Sequence, residues 1–117
     1  MNSIFSEITS AAPYLRAAPD PFSPDGDGID DVTIISGEIT LNNARINAHI
    51  FDINGRLIQT LRDNRFNGNQ INLVWDGKDS DGRLARIGIY LVFVQALNDR
   101  DGILKEMKTT VVLAQKL

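Results

Sequence analysis

Arg45-Ile46-Asn47-Ala48-His49-Ile50-Phe51-Asp52-Ile53-Asn54-Gly55-Arg56-Leu57-Ile58-Gln59-Thr60-Leu61 is the stretch on which the fold turns. Ile46, Ala48 and Ile50 recur at period two, the spacing of one face of a β-strand and not of a helix. Asn54-Gly55 follows, and this dipeptide accommodates the positive φ angles of a tight hairpin turn. The segment 56–61 then returns with Leu57 and Leu61 apolar on one side. Working outward, residues 70–75 alternate again and place Ile71, Leu73 and Trp75 on a single face. Residues 32–40 read as a first strand, 64–68 and 76–83 as loops, and 87–97 as a longer central strand with apolar candidates on both faces. A turn at 98–102 leads into its antiparallel partner, 103–114. Short β-branched segments divided by turn clusters leave little room for helices and predict an all-β antiparallel sandwich or barrel of about seven strands. The expected core is Ile46, Ile50, Ile71, Leu73, Trp75, Leu91, Phe93, Val111 and Leu113.

The 117 residues suit one domain, and a hydrophobic share of 43% is enough to fill its core. A net charge of −3, with both signs interleaved, provides no field to attract nucleic acid or an anionic membrane. The absence of cysteine excludes a disulfide framework, a thiolate zinc site and a cysteine nucleophile. No apolar run approaches the roughly 18–20 residues of a membrane-crossing helix, so direct membrane insertion is not expected. Residues 1–18 read as a leader or linker and 19–117 as the folded domain. Its entrance, Pro19-Asp20-Pro21-Phe22-Ser23-Pro24-Asp25-Gly26-Asp27-Gly28, is dense in residues that impose fixed turns.

Asp-x-Asp-Gly occurs three times, at 25–28, 79–82 and 99–102. A calcium loop needs oxygen ligands at alternate positions, a glycine at the sharp turn and a backbone carbonyl just after it. The first copy approaches this pattern, with Ser23, Asp25, Asp27, the Ile29 carbonyl and Asp31 as ligands, although Ile34 stands where the loop's bidentate acid would be. The alternative is that these aspartates accept hydrogen bonds from nearby amides and only build turns. Both readings stay open here. Trp75 is in register with Ile71 and Leu73, which favours core over a sugar platform, and His49 has no partner type suited to zinc. No serine elbow, phosphate loop or recognisable catalytic carboxylate pair occurs, so an enzyme is not expected.

The entrance Pro21-Phe22-Ser23-Pro24-Asp25-Gly26-Asp27-Gly28-Ile29-Asp30-Asp31 resembles the Asn-Pro-Phe-Ser-Pro-Asn-Gly-Asp-Gly-x-Asn-Asp opening of gliding-motility-associated C-terminal domains. Ile50-Phe51-Asp52-Ile53-Asn54-Gly55-Arg56-Leu57-Ile58, then Trp75-Asp76-Gly77-Lys78-Asp79 and Gly88-Ile89-Tyr90, resemble the immunoglobulin-like domain of flagellar hook-capping proteins and of many type IX secretion cargo tails. The blocks occur in the same order and cover most of the chain from Pro21 onward. The resemblance implies an immunoglobulin-like sandwich acting as a C-terminal sorting and anchoring module on the extracellular or cell-surface, outer-membrane side. Its implied partners are the outer-membrane type IX apparatus, a sortase-like protease and a passenger domain upstream in the parent protein. The terminal segment, with Lys108, Val111, Val112, Leu113 and Lys116, is implied as the sorting strand. Asp20 and Asp25 stand where the family often has asparagine, which keeps the loop shape and adds negative charge for a cation such as calcium. Two other functions compete: a structural scaffold of the hook-capping kind, and a carbohydrate-binding module, which would need a row of exposed aromatics.

Overall fold

The computed structural model describes residues 14–38, 44–63, 70–98 and 104–115. Among them are seven strands: β1 (Tyr14–Ala18), β2 (Thr33–Glu38), β3 (Ala44–Asp52), β4 (Leu57–Asp63), β5 (Gln70–Trp75), β6 (Gly88–Asn98) and β7 (Leu104–Leu113). They form two antiparallel sheets, ordered β1-β2-β5 and β4-β3-β6-β7, which face each other as an immunoglobulin-like β-sandwich. The period-two pattern carries directly into packing. Ile71, Leu73 and Trp75 of β5 point inward together with Ile35 of β2, against Ile46, Ala48 and Ile50 of β3 and Val111 and Leu113 of β7.

Three expectations need correction. Tyr14–Ala18, assigned from sequence to the leader, is a strand paired with residues 34–38 of β2, so the domain begins before residue 19. Leu15 and Ala17 pack against the core while Tyr14 and Arg16 are exposed, and five residues with one large inward side chain leave too short an alternation to read. In β6 the buried set is Tyr90, Val92, Val94 and Ala96, whereas Leu91 and Phe93 face outward and are half-buried. The reason is register: Val92, Val94 and Ala96 lie beside inward-facing Ile50, Ala48 and Ile46. Finally, Leu57 and Leu61 do not share a face. A β-bulge shifts the register between Ile50 and Phe51, leaving Leu57 on the surface while Leu61 packs against the core. The expected turns at 64–68 and 99–102, and residues 1–13, lie outside the described residues.

One end of the sandwich is organised by aromatic rings. Trp75 is fully buried, with its ring centroid 5.4 Å from that of Phe22 and 5.1 Å from that of Tyr90, the latter edge-on. Its indole Nε1 donates to the Lys78 carbonyl at 2.9 Å, so burial leaves no unmet donor. The Tyr90 hydroxyl donates to the Arg86 carbonyl. Burial, and secondarily the Asp52 charge, hold this phenol above its ordinary pKa, with Arg86 acting in the opposite direction.

Gly77 closes the packing around this cluster. Its φ is +81°, and a Cβ there would lie 2.9 Å from Pro24 Cγ and 3.1 Å from Leu113 Cδ1. Gly55 has nearly the same φ, +82°, but open space around it. Gly55→Ala is therefore expected to cost only the left-handed conformation, about 1 kcal/mol, whereas Gly77→Ala adds overpacking of about 1–3 kcal/mol. Chemical denaturation of both variants measures the difference, and equal losses would remove the packing role assigned to Gly77.

Candidate functional site

The entrance loop between β1 and β2 owes its shape to alternating backbone handedness. Gly26, Gly28 and Asp30 have φ angles of +81°, +83° and +56°, and such alternation turns successive amides toward a common centre. The centre is filled by a side chain of the loop itself. Asp31 Oδ1 accepts from the Gly26 amide at 3.0 Å, and its Oδ2 accepts from the Gly28 amide at 2.7 Å. Asp25 Oδ1 accepts from the Asp27 amide at 3.2 Å, and Asp27 Oδ1 from the Ile29 amide at 2.8 Å. At the root, the Ser23 amide donates to the Asp30 carbonyl at 2.7 Å and the Ser23 carbonyl accepts from the Asp25 amide at 2.8 Å.

Of the five residues read as calcium ligands, Asp25, Asp27 and Asp31 are brought together, with one carboxylate oxygen from each lying within 4.8 Å of the others. Oxygens around one Ca²⁺ at 2.3–2.6 Å are separated by at most about 5 Å, so this spacing suits such an ion. Ser23 is buried at the base, and the Ile29 side chain is exposed at the rim. The second Asp-x-Asp-Gly copy behaves differently. Asp79 Oδ1 accepts the Asp81 and Arg83 amides at 2.9 and 3.0 Å, a turn reproduced by Asp52 with the Asn54 and Arg56 amides, both at 2.9 Å. The sequence signal for this equivalence is Asp-x-Asn/Asp-Gly-Arg-Leu, present at both places. The third copy, 99–102, lies outside the described residues.

The loop is also tied to the end of the chain, a link that spacing could not reveal. Phe22 forms a short parallel bridge with β7: its amide donates to the Val112 carbonyl at 3.0 Å, and its carbonyl accepts from the Ala114 amide at 2.8 Å. The Val112 amide donates to Asp20 Oδ1 at 2.9 Å, across 92 positions of sequence. Within the segment read as a sorting strand, Val111 and Leu113 are core, Val112 is half-buried and Lys108 is exposed, while Lys116 lies outside the described residues. Beside the loop, Pro24, Leu84, Ile87, Leu113 and Ala114 line a depression of about 330 Å³ with Asp25 at its edge.

No protein-family profile matches the chain, and no curated protein matches it. Among solved structures, FlgD from P. aeruginosa is similar at 21% identity with a TM-score of 0.60, over 70% of this chain and 62% of that one. Dimeric latent PorU from Porphyromonas gingivalis is similar at 16% identity with a TM-score of 0.68, over 89% of this chain and 9% of that one. FlgD from Xanthomonas campestris, described for hook capping essential for flagellar assembly, is similar at 18% identity with a TM-score of 0.58, over 96% and 77%. The chain thus spans about three fifths of the first structure and under a tenth of the second. At these identities the likeness is one of fold.

Because Asp31 accepts two loop amides with both carboxylate oxygens, Asp31→Ala is expected to lower stability by about 1.5–3 kcal/mol. Asp31→Asn, which keeps one carbonyl acceptor, should lose less. Urea unfolding of the two variants tests this, and an unchanged midpoint in Asp31→Ala would show that the loop does not depend on that carboxylate.

Proposed function

We propose that this sandwich is a non-catalytic C-terminal sorting and surface-anchoring module of a protein exported by the type IX system. The observation that carries the reading is the convergence of its family-like sequence blocks. The entrance residue Phe22 is bridged to β7, and Gly77 of the Trp-Asp-Gly block packs against Pro24, Phe22 and Leu113. Two segments that resemble cargo tails, the entrance and the Trp-Asp-Gly block, are thereby joined through buried contacts to the implied sorting strand at one end of one body. The match to a small fraction of the much longer PorU chain supports a module carried within a larger protein. A scaffold role of the hook-capping kind is the second reading, favoured by the match over 96% of this chain to a FlgD.

A reporter passenger with a signal peptide, fused ahead of this chain and expressed in a bacterium with a type IX system, separates the two. Surface display lost in a type IX-deficient strain is expected for the sorting module. Deleting residues 108–117 should trap the passenger in the periplasm, but it also removes Val111 and Leu113 from the core. The outward-facing pair Lys108→Ala with Val112→Ser therefore serves as the folded counterpart, with an expected loss of display. A passenger that stays in the periplasm with the intact domain would favour the scaffold.

The same proposal gives the entrance loop one calcium ion, held by Asp25, Asp27 and Asp31 with Ser23 and the Ile29 carbonyl completing the set. A dication would offset the mutual repulsion of three gathered carboxylates and stabilise the fold by mass action at the millimolar calcium of extracellular sites. Calcium should raise the melting temperature of the wild type and of Asp81→Ala but not of Asp27→Ala. No calorimetric uptake at millimolar calcium, together with no effect of chelator on melting, would reduce the loop to a set of turns.

A further inference from the structure

An antiparallel sheet packed on one side ordinarily presents polar residues on the other. The outer face of β4-β3-β6-β7 does not. Register aligns Leu57, Phe51, Leu91 and Thr110 in one row across the four strands, and Thr60, His49, Phe93 and Lys108 in the next. Ile89 and Val112 extend the first row toward the entrance loop. Leu57 and Ile89 are 52% and 53% exposed, and Phe51, Leu91, Phe93 and Val112 are half-buried without packing on the core. Next comes a polar row containing Asn47, Gln95 and Glu106, where Gln95 Nε2 donates to Glu106 at 3.2 Å, and beyond it exposed Arg45 lies beside half-buried Leu97. Aromatic and aliphatic residues gathered beside a polar row are features of a protein interface. Apolar surface gathered in this way on one face marks a contact site.

We infer that this face binds a second copy of the chain, sheet to sheet. Size supports that occupant. Four strands of seven to eleven residues, at about 4.8 Å spacing and about 3.4 Å per residue, give roughly 600 Å² per copy. Two copies would then bury about 1,200 Å², the lower end of stable specific interfaces. Charge supports it too. The described outward charges are Arg45, Glu106 and Lys108, so a two-fold contact can set the Glu106 of one copy against Arg45 or Lys108 of the other, while two cations separated by an acid make no cationic ring for an anionic lipid surface. Phenylalanines without a hydrogen-bonding edge do not suit a sugar, whereas two flat sheets with interdigitating side chains pack readily about 10 Å apart. A two-fold axis makes such a contact self-complementary and closed. This inference does not depend on the sorting assignment.

Sedimentation equilibrium of the folded chain from 1 to 500 µM tests it. A monomer–dimer equilibrium with a dissociation constant in the tens of micromolar is expected, weakened at least tenfold by Phe93→Lys and by Ile89→Lys. Both positions face outward, so unchanged circular dichroism and melting should confirm that the variants fold. Val74→Lys, on the outer face of the three-stranded sheet, should leave dimerisation unaltered. A wild type that stays monomeric at 500 µM overturns the inference. So does dimerisation that survives both substitutions. A monomer that instead co-sediments with phosphatidylcholine vesicles through Phe93 and Ile89 would assign the face to lipid and also overturn it.

Discussion

The structure depends on one buried contact, the indole of Trp75 between the rings of Phe22 and Tyr90. Trp75 belongs to the three-stranded sheet, Tyr90 to the four-stranded sheet and Phe22 to the entrance segment, so three parts of the chain meet in one cluster. Truncating a buried aromatic of this kind typically costs about 3–5 kcal/mol, comparable to much of the stability of a small domain. The geometry around it follows. Gly77 must lack a side chain because Pro24 and Leu113 close in on it, and the Lys78 carbonyl is placed to accept the indole proton. The entrance loop stands on Phe22, and the last strand stands on the same residue.

Much of this was legible in the sequence because local physics and tertiary structure agree there. Residues 70–75 alternate cleanly and are β5 with the same bounds, and Trp75 is core as its register with Ile71 and Leu73 requires. β6 was harder, since both its faces are apolar. Periodicity cannot choose between Leu91 with Phe93 and Val92 with Val94. That choice is made by neighbours on β3, which are distant in sequence. β1 escaped notice because an edge strand built from Leu15 and Ala17 buries little.

The acidic loop divides in the same way. Alternate spacing was enough to gather Asp25, Asp27 and Asp31, because glycines at Gly26 and Gly28 permit the handedness that curls the chain around them. What spacing could not supply was the hydrogen-bonding role of Asp31, which takes loop amides on both oxygens. The partnership of Asp20 with Val112 was also hidden, since it spans nearly the whole domain. The repeated turns at Asp52 and Asp79 were visible as letters but gained meaning only when the same pair of amides was found on each carboxylate.

The bridge between Phe22 and β7 also sets an order of events during synthesis. The segment from Leu104 onward is the last of the domain to emerge, yet it supplies Val111 and Leu113 to the core and the partners of Phe22 and Asp20. Until it arrives, the edge of β6 lacks its neighbour and the entrance lacks its backbone partners on β7. Contacts spanning so much of the chain must absorb a long loop-closure entropy before they return any energy, which makes them late and cooperative. The domain is thus a clasp that shuts only when the preceding chain has been delivered in full, and a polypeptide cut short upstream of residue 104 would lack the means to close it.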